Sequence, residues 1–121
     1  MDKPLSDRRI LVVEDEMILL ITIEQVLAGL GCESVTTAVT VDQALALLDA
    51  QTFDAAMLDV NLRGEISYPV ADALIARDVP FVFTTGYSDH GMRDDYRDQP
   101  MLKKPYNFEK LAEILTRLVS R

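Results

Sequence analysis

The chain has 121 residues, a length that fits one globular domain and leaves no room for a second module. Hydrophobic residues make up 49% of the chain and charged residues 26%, which argues against a disordered protein. The formal net charge of −8 would repel the phosphate backbone of a nucleic acid, so we expect no nucleic-acid partner. The excess of acidic residues is either spread over the surface or gathered in part at a functional site.

Cys32 is the only cysteine, so neither an intramolecular disulfide nor a cysteine-based zinc site can form. The N-terminal residues are polar, and no apolar run approaches the roughly 18 residues that a membrane span requires. We therefore expect a cytoplasmic protein that has no signal peptide and no membrane segment.

Five short apolar segments alternate with longer segments of helical period, the pattern of a parallel sheet with helices on both faces. The predicted strands are residues 10–13, 34–37, 55–58, 80–84 and 101–103. The predicted helices are residues 17–30, 41–50, 69–77 and 88–99, followed by a last helix for which Asn107 is the expected N-cap. The pattern predicts a doubly wound α/β domain over residues 9–121, preceded by a polar tail of residues 1–8.

Four polar motifs follow the predicted strands at one edge of the sheet. Right-handed crossovers bring the carboxyl ends of all parallel strands to this edge, where ligands of open α/β sheets bind. The motifs are Glu14-Asp15-Glu16, Asp59, Thr84-Thr85-Gly86 and Lys103-Lys104-Pro105. Each motif alone is as well explained by a turn or a helix cap, but complementary groups that meet at one edge indicate a site.

The acidic motifs predict a metal site. Carboxylates of Glu14, Asp15 and Asp59 that lie close together repel one another, and such a cluster persists mainly around a cation. Hard oxygen ligands without His or Cys select Mg²⁺ or Mn²⁺ over zinc or copper. We therefore expect a Mg²⁺ or Mn²⁺ ion among these carboxylates.

The remaining motifs predict a phosphoryl-binding pocket beside that ion. The hydroxyl of Thr85 supplies a hydrogen-bond donor and the ammonium of Lys104 supplies a positive charge, the groups needed to hold a phosphoryl dianion. A carboxylate is a known nucleophile in aspartyl-phosphate chemistry, so Asp59 is the expected acceptor.

On these residues the chain resembles the receiver domains of two-component response regulators, over about residues 9–119. The resemblance implies a flavodoxin-like (CheY-like) fold of five βα units, a three-layer sandwich around a five-stranded parallel sheet of strand order 2-1-3-4-5. It also implies that Asp15 binds Mg²⁺ directly and that its neighbour Glu14 acts through water. Asp59 matches the phosphorylated aspartate, and Asn61 would bind the metal through its backbone carbonyl.

The same resemblance implies which residues form the switch. Thr85 and Lys104 match the phosphoryl-sensing hydroxyl and lysine, and the peptide bond before Pro105 is expected to be cis, as in the family. Three residues before Lys104, Met101 stands where an aromatic switch residue is common in the family. Tyr87, which closely follows the sensing threonine, is our hypothetical substitute for that aromatic residue.

Three longer stretches resemble a subgroup of receivers with a Phe-Ala-Thr-Gly motif, found in alphaproteobacteria as stand-alone regulators or attached to sensor kinases. The stretches are residues 58–65, 68–71 and 83–87, of sequence LDVNLRGE, YPVA and FTTGY. This chain has Thr84 where the subgroup usually has alanine.

The resemblance also implies a partner and an output. A sensor histidine kinase or a histidine phosphotransfer protein would donate the phosphoryl group to Asp59, and the receiver would be a signalling phosphoacceptor rather than an enzyme. Phosphorylation would shift a face formed by the fourth helix, fifth strand and fifth helix, where a downstream protein would bind. Met17, Ile18 and Ile21 lie partly off the core stripe of the first helix, so they either form a kinase-docking surface or pack beneath the fifth helix.

Other functions fit parts of this pattern. A flavodoxin-like cofactor-binding module would need a neutral phosphate loop after the first strand, where this chain has Glu14-Asp15-Glu16. A haloacid-dehalogenase-type phosphohydrolase would carry paired aspartates there together with a cap insertion, which this chain lacks. A degenerate receiver that only binds proteins is the main alternative. A receiver excised from a hybrid histidine kinase is the alternative to a stand-alone regulator.

Overall fold

The computed structural model of the protein describes residues 3–86, 99–104 and 107–120. Its strands are β1 (Arg9–Val13), β2 (Ser34–Ala38), β3 (Ala55–Asp59), β4 (Asn61–Leu62), β5 (Glu65–Ile66), β6 (Phe81–Thr85) and β7 (Met101–Lys103). Its helices are α1 (Met17–Gly29), α2 (Val41–Ala50), α3 (Tyr68–Ala76) and α4 (Phe108–Val119). Tyr87, Pro105 and nearly all of the predicted helix over residues 88–99 lie outside the described residues.

Five of these strands form a parallel sheet in the order β2-β1-β3-β6-β7. This is the predicted order 2-1-3-4-5, because β6 and β7 are the fourth and fifth strands of the predicted set. Helices cover both faces of the sheet and bury one hydrophobic cluster on each. The cluster that contains Leu11 and Phe83 lies under α2 and α3, and the cluster that contains Val12 and Val82 lies under α1 and α4. The predicted flavodoxin-like α/β fold is confirmed.

Burial follows the position of each strand in the sheet. All residues of β3 and β6 are buried, and β1 is buried after Arg9, because helices cover these central strands on both sides. The outer strands β2 and β7 are partly exposed. The sequences account for this difference, because the central strands are more continuously apolar than the outer strands.

Two helices begin at capping side chains. The hydroxyl of Thr40 accepts a hydrogen bond from the amide of Gln43 at 3.1 Å, which caps α2. The side chain of Asn107 accepts hydrogen bonds from the amides of Glu109 and Lys110 at 2.7 and 3.2 Å, which confirms the predicted cap of α4. Among the helices of the described residues, none combines the length and the apolar character needed to cross a membrane.

The N-terminal segment packs against the domain. Leu5 is fully buried in the cluster under α1, and its amide donates a hydrogen bond to the carbonyl of Leu30 at 3.0 Å. Gly31, just after α1, has a φ of 92°, and a Cβ atom there would lie 2.6 Å from the Cβ of Lys3. The prediction of a polar tail over residues 1–8 is therefore wrong at Leu5, because one apolar side chain in a polar segment gives no periodic signal.

A short hairpin that the sequence pattern did not predict follows β3. Strands β4 and β5 pair in antiparallel fashion with Leu62 opposite Glu65, and Arg63-Gly64 is the turn between them. Both turn residues have positive φ, 52° for Arg63 and 86° for Gly64, as in a type I′ turn. Strands of two residues are too short to show alternation, so only the glycine signals the hairpin in the sequence.

Two buried hydroxyl groups near the carboxyl end of β3 differ in their partners. Ser67 is fully buried, and its Oγ donates a hydrogen bond to the carbonyl of Asp59 at 2.6 Å. Thr84 is 1% exposed and pairs in register with Asp59, but its hydroxyl makes no hydrogen bond to any of the described residues. A buried hydroxyl without a partner loses its bonds to water and lowers stability by about 1–3 kcal/mol.

We expect Thr84→Val to raise the free energy of unfolding by about 1 kcal/mol, because valine has a similar shape and no unpaired hydroxyl. Ser67→Ala is the matched control and should lower the free energy of unfolding by about 1–2 kcal/mol, because it leaves the Asp59 carbonyl without its partner. Urea denaturation of both variants and the wild type measures these changes. A less stable Thr84→Val variant would contradict this account of the hydroxyl.

Candidate functional site

The polar motifs converge at the carboxyl edge of the sheet. Glu14 follows β1, Asp59 ends β3, Thr85 ends β6 and Lys104 follows β7. These four strands are neighbours in the sheet, so their ends place the side chains next to one another. Within the described residues, every buried polar or charged side chain lies in or beside this cluster: Glu14, Asp59, Ser67, Thr84 and Thr85.

The ammonium group of Lys104 lies at the centre of the cluster. Its Nζ is 2.9 Å from Asp59 Oδ2, 3.1 Å from Glu14 Oε2 and 3.5 Å from Glu16 Oε1. The backbone fixes the position of Lys104, because its amide donates a 2.7 Å hydrogen bond to the carbonyl of Thr85. One cation therefore pairs with two buried carboxylates and one exposed carboxylate.

Three carboxylates form a candidate metal site beside Lys104. Glu14, Asp15 and Asp59 each offer one oxygen atom, and these atoms all lie within 4.8 Å of one another. Carboxylate oxygens are the ligands that Mg²⁺ and Mn²⁺ prefer in proteins. The donor set therefore fits the divalent ion that the sequence predicts, and these residues are the ones that would hold it.

Burial opposes ionisation in this cluster. Burial, followed by the charge and hydrogen bond of Asp59, raises the pKa of Glu14 to about 8. Burial alone would lower the pKa of Lys104, but its hydrogen bond to Asp59 and the charges of Asp59 and Glu14 raise that pKa above its usual value. Lys104 therefore stays protonated. For Glu14, the positive charge of Lys104 is too small to offset the cost of burying an ionised carboxylate beside Asp59.

Thr85 ends β6 with an unpaired side chain. It is 6% exposed, and its hydroxyl makes no hydrogen bond in the part of the chain that the structure describes. Its carbonyl binds the amide of Lys104, as described above. The hydroxyl is therefore available as a donor near the carboxyl end of the neighbouring strand β3.

The hairpin β4–β5 forms one wall of an open groove above these side chains. The groove is lined by Asp15, Glu16, Asp59, Asn61, Arg63, Gly64, Gly86 and Lys104. The amide of Asn61 donates a hydrogen bond to Asp59 Oδ1 at 3.2 Å, and the amide of Arg63 donates one to Asp15 Oδ2 at 2.9 Å. Asn61 thus lies at the site, while its backbone contact to a metal stays a prediction.

Two residues contact the site although no role was predicted for them. Arg63 binds Asp15 through its amide, and Ser67 binds the carbonyl of Asp59 through its hydroxyl. Both contacts depend on the hairpin. Gly64, which signals the turn, was the one available indication of them in the sequence.

Two predicted interaction surfaces lie outside the groove. Met101 on the edge strand β7 is 42% exposed. Met17, Ile18 and Ile21 on α1 are 65%, 83% and 51% exposed, so they form an exposed apolar surface. The alternative that these α1 residues pack beneath the last helix is therefore wrong.

The raised pKa of Glu14 predicts that the metal-free protein loses stability as the pH rises. Glu14 has its ordinary pKa of 4.5 in the unfolded chain and a pKa of about 8 in the folded protein. Its contribution to the free energy of unfolding is therefore fully present below pH 4.5 and is lost as the pH rises through about 8. We expect Glu14→Gln to remove this loss of stability. At pH 8 in EDTA, the free energy of unfolding of the variant should exceed that of the wild type by about 2 kcal/mol.

Glu16→Gln is the control for this comparison, because Glu16 is exposed and only 3.5 Å from the same ammonium group. It should change the free energy of unfolding by less than about 0.5 kcal/mol. Denaturation between pH 5 and 8, with EDTA or with excess Mg²⁺, checks these expectations. Mg²⁺ should stabilise the wild type more than Glu14→Gln, and identical pH profiles of the two proteins would rule out the raised pKa.

Comparison with known proteins shows the family of the chain. Residues 10–116 match the model of the response regulator receiver domain family. The solution structure of SdrG from Sphingomonas melonis Fr1 is 47% identical in sequence with a TM-score of 0.81, and the match covers 93% of this chain and 96% of that chain. No curated protein sequence matches this chain.

Two further structures represent activated and metal-bound receivers. The BeF3-activated conformation of SdrG from Pseudomonas melonis Fr1 is 46% identical, with a TM-score of 0.77 and coverage of 92% of this chain and 95% of that chain. The receiver domain of the sensor histidine kinase PA1611 from Pseudomonas aeruginosa PAO1, with a magnesium ion in its active site cleft, is 28% identical. Its TM-score is 0.81, and the match covers 94% of this chain and 98% of that chain. With the family match and the similarity to SdrG along nearly its whole length, the chain belongs to the response regulator receiver domains of two-component systems.

Proposed function

We propose that this receiver is a switch whose Asp59 accepts a phosphoryl group from a phosphohistidine in a reaction that depends on Mg²⁺ or Mn²⁺. The observation that carries the proposal is the 2.9 Å contact of Asp59 with Lys104 inside a cluster of three carboxylates. A surface that only binds proteins needs neither a semi-buried lysine nor a cluster of carboxylates that repel one another.

Asp59 is oriented for nucleophilic attack. Its Oδ1 accepts a hydrogen bond from the amide of Asn61 at 3.2 Å, and its Oδ2 accepts one from Lys104 at 2.9 Å. In the transfer, a carboxylate oxygen forms a bond to phosphorus while the P–N bond of the donor breaks. The electron pair of that bond stays on the imidazole nitrogen, and an imidazole that is protonated at its other nitrogen leaves as a neutral group.

The neighbouring side chains bind the transferred group. Lys104, already in contact with Asp59, would donate to one phosphoryl oxygen, and the unpaired hydroxyl of Thr85 would donate to another. Glu14, Asp15, Asp59 and the backbone carbonyl of Asn61 would hold a divalent ion, which would supply positive charge to offset the negative charge of the phosphoryl group. The magnesium ion in the active site cleft of the PA1611 receiver supports this assignment.

The output is proposed to follow from movement of Thr85 and Lys104 towards the phosphoryl group. The hydrogen bond between the Lys104 amide and the Thr85 carbonyl joins the ends of β6 and β7, so a shift of one strand end reaches the other. Met101, exposed on β7, would lie on the surface that a downstream protein reads, together with α4. Tyr87 and Pro105 are proposed to take part in this switch. The activated conformation recorded for SdrG supports a phosphorylation-dependent change.

The phosphodonor, a sensor histidine kinase or a histidine phosphotransfer protein, is proposed to dock on the apolar surface formed by Met17, Ile18 and Ile21. This surface begins directly after Glu16, which lines the groove. A helical partner that covers it would therefore carry a histidine to the mouth of the groove. This exchange is proposed to take place in the cytoplasm.

We expect wild-type protein to gain the mass of one phosphoryl group when it is incubated with acetyl phosphate and Mg²⁺, and Asp59→Asn to gain none. Intact-protein mass spectrometry measures the change, and omission of Mg²⁺ should abolish it. If wild type and Asp59→Asn behave alike, the phosphoswitch is wrong and the protein acts as an interaction module that does not depend on phosphorylation.

The double variant Ile18→Glu with Ile21→Glu should slow phosphotransfer from the partner kinase at least about 10-fold, because it places charge in an apolar contact. Its reaction with acetyl phosphate and its thermal unfolding should stay close to those of the wild type. Ile75→Glu is the matched control, since Ile75 is 45% exposed on α3, away from this surface. Equal transfer rates in the double variant and the wild type would remove α1 as the docking surface.

A further inference from the structure

Arg63 occupies a backbone conformation that disfavours arginine. It is the first residue of the type I′ turn between β4 and β5, with a φ of 52°. Asparagine, aspartate and glycine are the residues that favour this turn position, because long side chains are strained in the left-handed conformation. The conformation of the turn therefore does not explain why an arginine stands at this position. A role of its side chain would explain it.

The guanidinium of Arg63 is an unpaired cation at the mouth of the groove. Arg63 is exposed and lines the groove that leads to Asp59. Its side chain makes no ion pair or hydrogen bond within the described residues. Lys104, the other cation among the described residues that line the groove, already pairs with three carboxylates.

The hairpin fixes the backbone that carries this cation. The amide of Arg63 donates a hydrogen bond to Asp15 Oδ2 at 2.9 Å, and the amide of Gly64 donates one to Asn61 Oδ1 at 2.9 Å. At the base of the hairpin the amide of Ser67 donates to the carbonyl of Val60 at 2.9 Å. The turn is thus anchored at its tip and at its base, and the exposed side chain of Arg63 extends from a fixed backbone.

We propose that Arg63 binds the phosphoryl dianion of the donor before transfer and so raises the rate at which Asp59 is phosphorylated. A dianion that enters the groove meets the carboxylates of Asp15, Glu16 and Asp59, and the one lysine that lines the groove among the described residues is already paired. Lys104 and a bound divalent ion together carry three positive charges, which at most balance these three carboxylates, so Arg63 is the group that would give the groove positive charge for the dianion. A guanidinium also matches two phosphoryl oxygens with parallel hydrogen bonds.

This inference rests on the proposed phosphorylation of Asp59 and applies to any donor that presents a phosphoryl dianion. Two sources share that chemistry: a phosphohistidine on a partner protein and a small acyl phosphate. With an acyl phosphate, an Asp59 oxygen bonds to phosphorus as the P–O bond breaks, and the acid leaves as a carboxylate with the electron pair. Arg63 acts on the approach of the donor and forms no covalent bond.

Arg63→Asn is the test variant, because asparagine suits the turn and removes the charge. Arg63→Lys keeps the charge, and Arg77→Gln removes a charge from the surface between α2 and α3, where Arg77 pairs with Asp49 at 2.6 Å. Initial rates of phosphorylation are measured with acetyl phosphate and with a phosphorylated histidine phosphotransfer domain, each at low and high ionic strength with excess Mg²⁺. Melting temperatures are measured for all variants.

We expect the rate of Arg63→Asn to fall about 3- to 10-fold at low ionic strength, and the deficit to narrow at high ionic strength because salt screens the charge. Arg63→Lys should keep most of the rate, and Arg77→Gln all of it. The melting temperature of Arg63→Asn should equal that of the wild type or exceed it by a few degrees, because asparagine relieves the backbone strain at this turn position. A purely structural role of Arg63 would not combine a slower reaction with an equally or more stable fold.

Equal rates of Arg63→Asn and the wild type with both donors would overturn the inference and leave the phosphorylation of Asp59 standing. A wild-type protein that neither donor phosphorylates would overturn the proposed function itself. A deficit with one donor alone supports the inference and identifies that donor as the source that Arg63 recognises. A slower reaction together with a lower melting temperature would assign Arg63 to the hairpin structure and overturn its role in donor binding.

Discussion

The site depends on one ammonium group placed among carboxylates that repel one another. Lys104 can occupy that position only because β7 runs parallel to β6 and ends at the same edge as the strands that precede Glu14 and Asp59. Helices on both faces keep water away from the central strands, which strengthens each charge interaction at their ends. The pairing of strands thus decides the electrostatics of the groove.

The parts of this arrangement with local signals were predictable from the sequence. The apolar run of β3 ends directly in Asp59, and the apolar run of β1 is followed by Glu14. The same short segments therefore predict both the strands and the acidic side chains at their carboxyl ends. The contact of Arg63 with Asp15 joins residues 48 positions apart and exists only because a turn of two residues folds the chain back. The hydrophobic periodicity of the sequence does not indicate such a contact. The exposure of Ile18 likewise depends on where the last helix packs, which the pattern of α1 alone does not contain.

The hairpin links the groove to the α2–α3 side of the domain. Ser67 bonds to the carbonyl of Asp59 and directly precedes α3, while Asn61 at the other strand bonds to the carboxylate of the same residue. Asp59 is therefore connected in two directions, through Ser67 of the hairpin to α3 and through Lys104 to β7. In this chain α3 therefore also has a direct connection to Asp59.

The burial of Leu5 has a consequence for where the folding unit begins. The family match starts at residue 10, yet the core under α1 includes this earlier side chain, and the chain from Lys3 passes close against Gly31. A domain cut at the family boundary would lose a fully buried leucine and leave a cavity beside α1, a defect that commonly lowers stability by about 2–5 kcal/mol. Sequence similarity therefore delimits what relatives share, whereas the cooperative unit of this protein also includes residues upstream of that boundary.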